Sequence, residues 1–205
     1  MEAVERRLEL WAVVLISVAS LLSAWCAYQS ARWGTAQAQL YARANASRVE
    51  SLRQSGVANR QTMVDINLFV NYESALFAKD KGFAGFISAR FPERLKTAVR
   101  AWLATDPLKN AHAPSSPFVM TQYRLQAQDQ ADELELQARS NFDAAVKANE
   151  TGDRYILMTV LFASVSFLAG VGSKFDSRSM VIVSLLLGSV VLLVAGVVLT
   201  GYPSR

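Results

Sequence analysis

The sequence has little of the chemistry that metal sites, disulfides and nucleophilic catalysis require. Its 205 residues include one cysteine, Cys26, and one histidine, His112. A single cysteine excludes a disulfide within the chain, and a single histidine leaves a transition-metal site almost without ligands. There is also no Gly-x-Ser-x-Gly elbow and no glycine-rich phosphate loop. We therefore expect no catalytic, metal-binding or cofactor-binding residues and no enzyme activity.

Charge is missing from three long stretches. Residues 10–31, 155–173 and 179–204 contain none of the 38 Asp, Glu, Lys and Arg residues. About 20 apolar residues suffice to cross a bilayer core, so these stretches predict three transmembrane helices and exclude a single soluble globule. A cleaved signal peptide is the alternative for the first stretch, but the bulky Trp25 stands where a small residue is needed.

The pattern predicts an all-α membrane protein. Its three spans leave one large domain outside the bilayer. The expected segments are a cytoplasmic tail (1–9), transmembrane helix 1 (10–30), a helical extramembrane domain (31–153), transmembrane helix 2 (154–173) and transmembrane helix 3 (179–201). The short regions that share a side hold Arg6, Arg7, Lys174 and Arg178. Because basic residues favour the cytoplasmic side, we expect the N-terminus inside a bacterial inner membrane and the domain in the periplasm.

Spans 2 and 3 carry small residues at the spacing that lets membrane helices approach closely. The pairs are Ser166 with Gly170, Ser184 with Gly188, and Gly196 with Thr200. The turn between these spans, residues 173–178, is short enough only for a tight helical hairpin. We expect these small residues to form the contacts between the helices.

Two helical arms, 31–79 and 118–149, are predicted to form a long antiparallel, coiled-coil-like stalk. The first arm has a heptad seam whose larger members are Val49, Leu52, Met63, Ile66, Val70 and Phe77. The second has a seam of mostly alanine: Ala127, Ala131, Leu134, Ala138, Asn141, Ala145 and Ala148. The alternative is two separate amphipathic helices on a globular core.

Opposite charges on the two arms favour their pairing. Residues 32–60 have five arginines and one acid, whereas residues 118–153 have three basic and seven acidic residues. Antiparallel alignment would place Arg48 near Glu135, Arg53 near Asp132 or Asp129, and Arg43 near Asp143. Exposed pairs of this kind stabilise by only about 0.2–1 kcal/mol each, so we expect them to set the register of the arms.

The segment between the arms is predicted to form a cap (82–105) and a Pro/Ser loop (106–117). Phe83, Phe86, Ile87 and Phe91 would share one face of a short helix, and Leu95, Val99 and Trp102 one face of the next. The cap also carries basic residues, as interfacial membrane helices do. We expect it to pack on the arms instead, with His112 solvated in the loop.

Three sequence blocks carry a family resemblance. They are WCAYQSARWGTAQAQLYARANASRVES, AWLATDPLKNAHAPSSPFVMTQY and YILMTVLFASVSFLAG. With them the chain resembles a family of bacterial inner-membrane proteins classed as a domain of unknown function. The resemblance implies an anchor helix, a helical domain and a C-terminal transmembrane hairpin. It also implies a membrane-exit signature made of Trp25, Tyr28, Gln29, Arg32 and Trp33.

Together these patterns favour a homo-oligomeric membrane scaffold or accessory protein with a projecting helical domain. Its expected partners are the lipid bilayer, further copies of itself and another membrane or periplasmic protein, but no nucleic acid. One alternative is an oligomeric channel, with Thr35, Gln37, Asn45 and Asn59 lining a vestibule. The other is a periplasmic sensory or ligand-binding domain, which would need a partner for output.

Overall fold

The chain is built from α-helices in the computed structural model, which describes residues 2–174 and 177–205. In chain order the helices are α1 (Glu2–Phe77), α2 (Lys81–Ser88), α3 (Glu93–Leu103), α4 (Gln126–Gly172) and α5 (Arg178–Thr200). A 3₁₀ turn covers Pro117–Val119. The predicted all-α class is therefore confirmed. Met1, Phe175 and Asp176 lie outside the described residues, so the predicted hairpin turn is described only at its two ends.

Three helices are long and apolar enough to cross a membrane. They are α1, α4 and α5, as the three uncharged stretches predicted. In α1 and α4 the apolar stretch continues without a break into the polar arm, so that span and arm are one helix. An uninterrupted helix keeps its backbone hydrogen bonds satisfied on both sides of an interface.

Two boundaries differ from the predicted arms. The first arm ends at Phe77, because Lys79 adopts a positive φ of 60° and the Asp80 carboxylate then caps α2 by accepting from the Phe83 amide at 2.9 Å. The second arm begins at Gln126, not at residue 118, because residues 117–119 form a 3₁₀ turn and Met120 after it has an extended backbone, which ends the helical turn.

The chain divides into two compact units. The terminal unit comprises residues 1–43 and 141–205, and the central unit comprises residues 44–140. The core of the terminal unit joins all three apolar helices, with Leu15 of α1, Phe162 and Val165 of α4, and Leu185 of α5 fully or almost fully buried.

The core of the central unit is an aromatic and aliphatic cluster. Phe69 of α1 meets the rings of Trp102 and Phe118 edge-on, at 5.6 and 5.7 Å between centroids. Leu95 and Val99 are buried in the same cluster, as the predicted face of the second cap helix requires. The first cap helix, α2, divides its predicted face: Ile87 and Phe91 beyond it are buried, but Phe83 and Phe86 are exposed.

Candidate interaction sites

The heptad seam predicted for the first arm lies on the outside of the central unit. Four of its six large apolar members are more than half exposed along this unit: Val49 59%, Leu52 68%, Met63 60% and Val70 52%. We call these four residues the outer stripe. Phe77 at the end of α1 is also exposed, whereas Ile66 is half-buried. The buried positions of α1 are displaced from this seam and recur every seven residues as Ala44, Ser51, Ala58 and Asp65. The predicted seam is therefore wrong as an inward-facing surface.

The size of the side chains explains this inversion. Ala127, Ala131 and Ala138 of α4 are buried, as are the small residues of α1. The Ser51 hydroxyl donates to the Ala131 carbonyl at 2.8 Å, a contact that requires the two backbones to lie close together. The larger side chains of the outer stripe would hold the helices apart. Close packing of small faces consequently leaves the large apolar face in contact with solvent.

The predicted ion pairs form in only one case. Arg48 Nε lies 4.0 Å from a carboxylate oxygen of Glu135, and Arg139 holds the other oxygen at 3.1 Å. Arg53 corrects the prediction, because it pairs with Glu50 on its own helix. Among the described residues no ion pair joins Arg53 to Asp129 or Asp132, or Arg43 to Asp143.

Local geometry explains the choice of Arg53. Glu50 stands three residues earlier on α1, so the pair forms without ordering a second element. The Glu50 carboxylate accepts from Arg53 at 2.7 Å and from the Gln54 carboxamide at 2.9 Å. These hydrogen bonds lower the pKa of Glu50 to about 2.

A buried charge that the sequence patterns did not reveal lies in the central unit. The Asp65 side chain is 0% exposed, and it accepts from Arg94 Nε at 2.7 Å and Nη2 at 3.1 Å. The Tyr123 hydroxyl donates to the same carboxylate at 2.9 Å. Burial is the main cause that raises the pKa of Tyr123, and the bond to Asp65 adds to it. No local sequence signal indicates this network, because Arg94 and Tyr123 lie 29 and 58 positions from Asp65 along the chain.

A polar cleft of about 380 Å³ adjoins this network. Gln61, Arg94, Arg124, Gln126 and Gln130 line it. Guanidinium and carboxamide groups can donate hydrogen bonds to a small anion. In the alternative of a sensory or ligand-binding domain, this cleft is the candidate binding site for such an anion.

The membrane-exit signature divides into a buried and an exposed half. Gln29 is fully buried, where its carboxamide donates to the Arg205 carbonyl at 3.0 Å and accepts from the Arg205 amide at 2.9 Å. The Trp33 indole donates to the Pro203 carbonyl at 3.1 Å. The Tyr155 hydroxyl of α4 donates to that same carbonyl at 3.2 Å. Gln29, Trp33 and Tyr155 thus hold residues 202–205 in what we call the tail clasp.

The other half of the signature faces outward. Trp25 and Tyr28 are about half exposed, and their ring centroids lie 5.9 Å apart. Arg32 donates to the Tyr28 hydroxyl at 3.0 Å. An exposed set of two aromatic rings and a guanidinium is typical of side chains at a bilayer interface.

The predicted small residues occupy different environments. A Cβ on Gly188 would lie 3.0 Å from Leu15 of α1 and 3.8 Å from Val165 of α4, so this glycine allows three helices to meet. Ser184 lies against Gly172, a glycine that the predicted pairs did not include. Gly170 and Gly196 have open space where a Cβ would be, and the Ser166 hydroxyl bonds to the Phe162 carbonyl of its own helix.

Within the described residues no group of three or more His, Cys, Asp or Glu side chains could hold a metal ion. His112 is exposed, and its amide donates to Asn110 Oδ1 at 2.9 Å in the loop before Pro117.

The chain matches no protein-family model, no curated protein and no solved structure. The family resemblance of the three sequence blocks therefore stays a prediction.

Proposed function

We propose that the chain is a homo-oligomeric membrane scaffold without catalytic activity. In this proposal the three apolar stretches of the terminal unit are embedded in the bilayer, and the arms of α1 and α4 pair antiparallel as a coiled-coil-like domain. The outer stripe of one copy then binds α4 of another copy. The observation that carries the proposal is the outer stripe, a row of large apolar side chains at heptad positions that the fold of one chain leaves exposed.

The surface of the terminal unit supports insertion into a bilayer. Large apolar side chains are exposed on each of its three long helices, among them Leu21 on α1, Phe167 on α4 and Leu193 on α5. Water disfavours so much apolar surface, whereas lipid tails solvate it well. Arg6, Arg7, Lys174 and Arg178 favour the cytoplasm for the N-terminus and the short turn. The central unit would then be periplasmic in a bacterial inner membrane.

Contacts inside each unit support the antiparallel pairing of α1 with α4. In the terminal unit the Ser23 hydroxyl donates to the Thr159 carbonyl, and the rings of Tyr41 and Phe142 lie 5.5 Å apart. In the central unit Ser51 contacts Ala131 and Arg48 faces Glu135. Within each unit the residue number falls along α4 as it rises along α1, which is the pattern of antiparallel neighbours.

Charges beside the outer stripe favour α4 of a second copy as its partner. With Val49 and Leu52 at positions a and d of a heptad, Arg53 and Arg60 take position e and Arg48 takes position g. These positions flank a coiled-coil seam and select the partner by charge. Two parallel α1 stripes would bring arginines together. The exposed side of α4 carries Leu136 with Asp129, Asp132 and Glu133, and it is therefore complementary.

A contact between two different surfaces is head-to-tail, and such contacts build rings or filaments. This geometry suits a scaffold that assembles many copies in one membrane. The channel alternative requires, in addition, that such a ring enclose a central lumen. Conductance across a reconstituted bilayer would test for this lumen.

Placing negative charge in the outer stripe tests the proposal. Full-length protein in nanodiscs or mild detergent is sized by light scattering and native mass spectrometry. We expect the wild type to form assemblies, and Leu52→Asp with Met63→Asp to dissociate them. The matched control is Val64→Asp, an exposed apolar residue beside the stripe, which should leave assembly unchanged.

A second pair of variants identifies the partner surface. Arg53→Glu with Arg60→Glu should weaken assembly, and so should Asp132→Lys with Glu133→Lys. Mixing these two variants restores complementary charge across one interface, so mixed assemblies should form again. A wild-type protein that stays monomeric at every concentration would overturn the proposal.

A further inference from the structure

The segment of the central unit that runs from the end of α1 through α2, with the loop after α3, exposes further large apolar side chains that are not part of the outer stripe. Phe77 ends α1 and is 80% exposed, Leu108 is 88% exposed, and Phe83 and Phe86 of α2 are each about half exposed. We call these four residues the aromatic tip. The rings of Phe83 and Phe86 are stacked with their centroids 6.4 Å apart.

The fold of the central unit does not depend on these side chains. Helix α2 already buries Ala84 and Ile87 against the core, and Phe91 follows them inward. Phe83 and Phe86, each one position before a buried residue of the same short helix, are about half exposed. Apolar side chains that a fold leaves exposed as a group mark an interaction surface.

The charge around the aromatic tip has one dominant sign. Residues 77–109 contain seven basic and three acidic side chains. Two of the three acids are engaged locally, since Asp80 caps α2 and Asp106 lies 3.7 Å from Lys109. Of the seven basic residues, Arg94 is engaged by the buried Asp65. Arg90 places its guanidinium 3.4 Å from the centroid of the Phe86 ring. Lys79 lies in the turn between α1 and α2, and Lys81 is the first residue of α2.

We propose that the aromatic tip docks onto an anionic lipid bilayer surface. Interfacial binding combines apolar side chains that enter the boundary between headgroups and acyl chains with basic side chains that contact anionic headgroups. The tip supplies both on one turn and one short helix. Arg90 above Phe86 can stay charged at the headgroup level while the ring below it enters the apolar layer. This function goes beyond the proposed scaffold and does not depend on it.

Vesicle flotation tests the proposal with the full-length chain. The protein is held in nanodiscs of zwitterionic lipid and mixed with vesicles that contain about 30% anionic lipid. We expect the protein to float with these vesicles, to float much less with purely zwitterionic vesicles, and to be released as salt increases. Empty nanodiscs control for exchange between discs and vesicles.

Two variants test the residues separately. Phe83→Ser with Phe86→Ser should reduce vesicle binding by about tenfold or more, because two rings no longer enter the lipid. Lys79→Glu with Lys81→Glu changes only exposed charges and should also reduce it. The matched control is Val64→Ser, which removes an equally exposed apolar side chain elsewhere in the central unit and should bind as the wild type does.

Three results would overturn the proposal. They are equal binding to anionic and zwitterionic vesicles, unchanged binding by both tip variants, and clustering of protein-bearing discs through the tip without any vesicles. The last result would show that a second copy, not lipid, covers the tip. The variant Leu52→Asp with Met63→Asp separates this inference from the scaffold, since it should lose assembly and keep vesicle binding by each protomer.

Discussion

The terminal and central units differ in the side chains that their paired long helices bury. The terminal unit buries large residues such as Tyr155, Phe162 and Leu185, and its exposed apolar residues lie on all three of its helices. Along its paired helices the central unit buries alanines and a charged residue, Asp65. The exposed apolar residues of α1 there include the outer stripe, whose members follow one heptad phase.

The difference shows which force each unit depends on. Burial in water stabilises in proportion to apolar area, and an alanine seam buries little area for each residue. The central unit therefore depends more on its aromatic cluster and on the Asp65 network. Inserted in a bilayer as proposed above, the helices of the terminal unit would gain little from apolar burial, because lipid is equally apolar, and close packing and hydrogen bonds would hold them together. The tail clasp supplies such bonds in the terminal unit.

The largest expected effect is the loss of the buried carboxylate. Asp65→Ala leaves the Arg94 guanidinium and the Tyr123 hydroxyl without their shared acceptor. Breaking a buried ion pair by removing one partner costs about 3–5 kcal/mol. Denaturant unfolding of the full chain in nanodiscs, followed by hydrogen exchange in residues 93–123, measures the loss. Glu50→Gln, which removes one partner of an exposed pair, is the control and should change stability far less. An Asp65 variant as stable as the wild type would show that the network is not structural.

Enlarging the alanine seam should have the next largest effect. Ala138 of α4 is completely buried, and Ala138→Leu adds three carbons at this position. Overpacking of this kind costs about 1–3 kcal/mol. Thermal unfolding of the variant measures it. Leu136→Ala makes the reverse change two residues away on the exposed side, and should cost no more than about 0.5 kcal/mol. Equal effects at the two positions would mean that the seam is not closely packed.

The tail clasp should contribute less than the buried carboxylate and no more than the overpacking costs. Gln29→Leu removes both hydrogen bonds to the Arg205 backbone, each worth about 0.5–1.5 kcal/mol. The Arg205 amide should then exchange its hydrogen faster, and this amide reports the clasp directly because it donates to Gln29. Tyr28→Phe, a change in the exposed half of the same signature, should leave that exchange rate unchanged. Full protection of Arg205 in the Gln29 variant would contradict the clasp.

Sequence patterns could predict the elements but not every surface they form. Long uncharged stretches predicted the three apolar helices, and the alanine spacing of α4 predicted its buried side. The buried side of α1 was missed because sequence rules place the larger apolar residues inside. That rule fails where two small faces meet, as Ser51 and Ala131 show.

Contacts between distant residues were also beyond the sequence patterns. Gln29 was named only through the family resemblance, since nothing local indicates that it binds a backbone 176 positions away. Arg53 was assigned a partner on the other arm although Glu50 was three residues away. Opposite net charges on two arms predict an attraction between them, but they do not determine which side chain each arginine meets.

The smallest expected effect concerns this local pair and the pH. The pKa of Glu50 falls from 4.5 to about 2 through its bonds to Arg53 and Gln54. A carboxyl whose pKa is lower in the folded state stabilises the fold above its unfolded pKa, and this contribution disappears as the pH falls through the folded value. Because the pair is exposed, we expect the change in stability to be barely measurable.

The titration of the Glu50 carboxyl itself is measurable by NMR, and Arg53→Gln should move its midpoint upward toward 4.5. Arg48→Gln is the matched control, because Arg48 contacts Glu135 instead. If the Arg53 variant leaves the midpoint unchanged, Arg53 does not pair with Glu50, and the partners on α4 that the charge pattern indicated would be favoured instead.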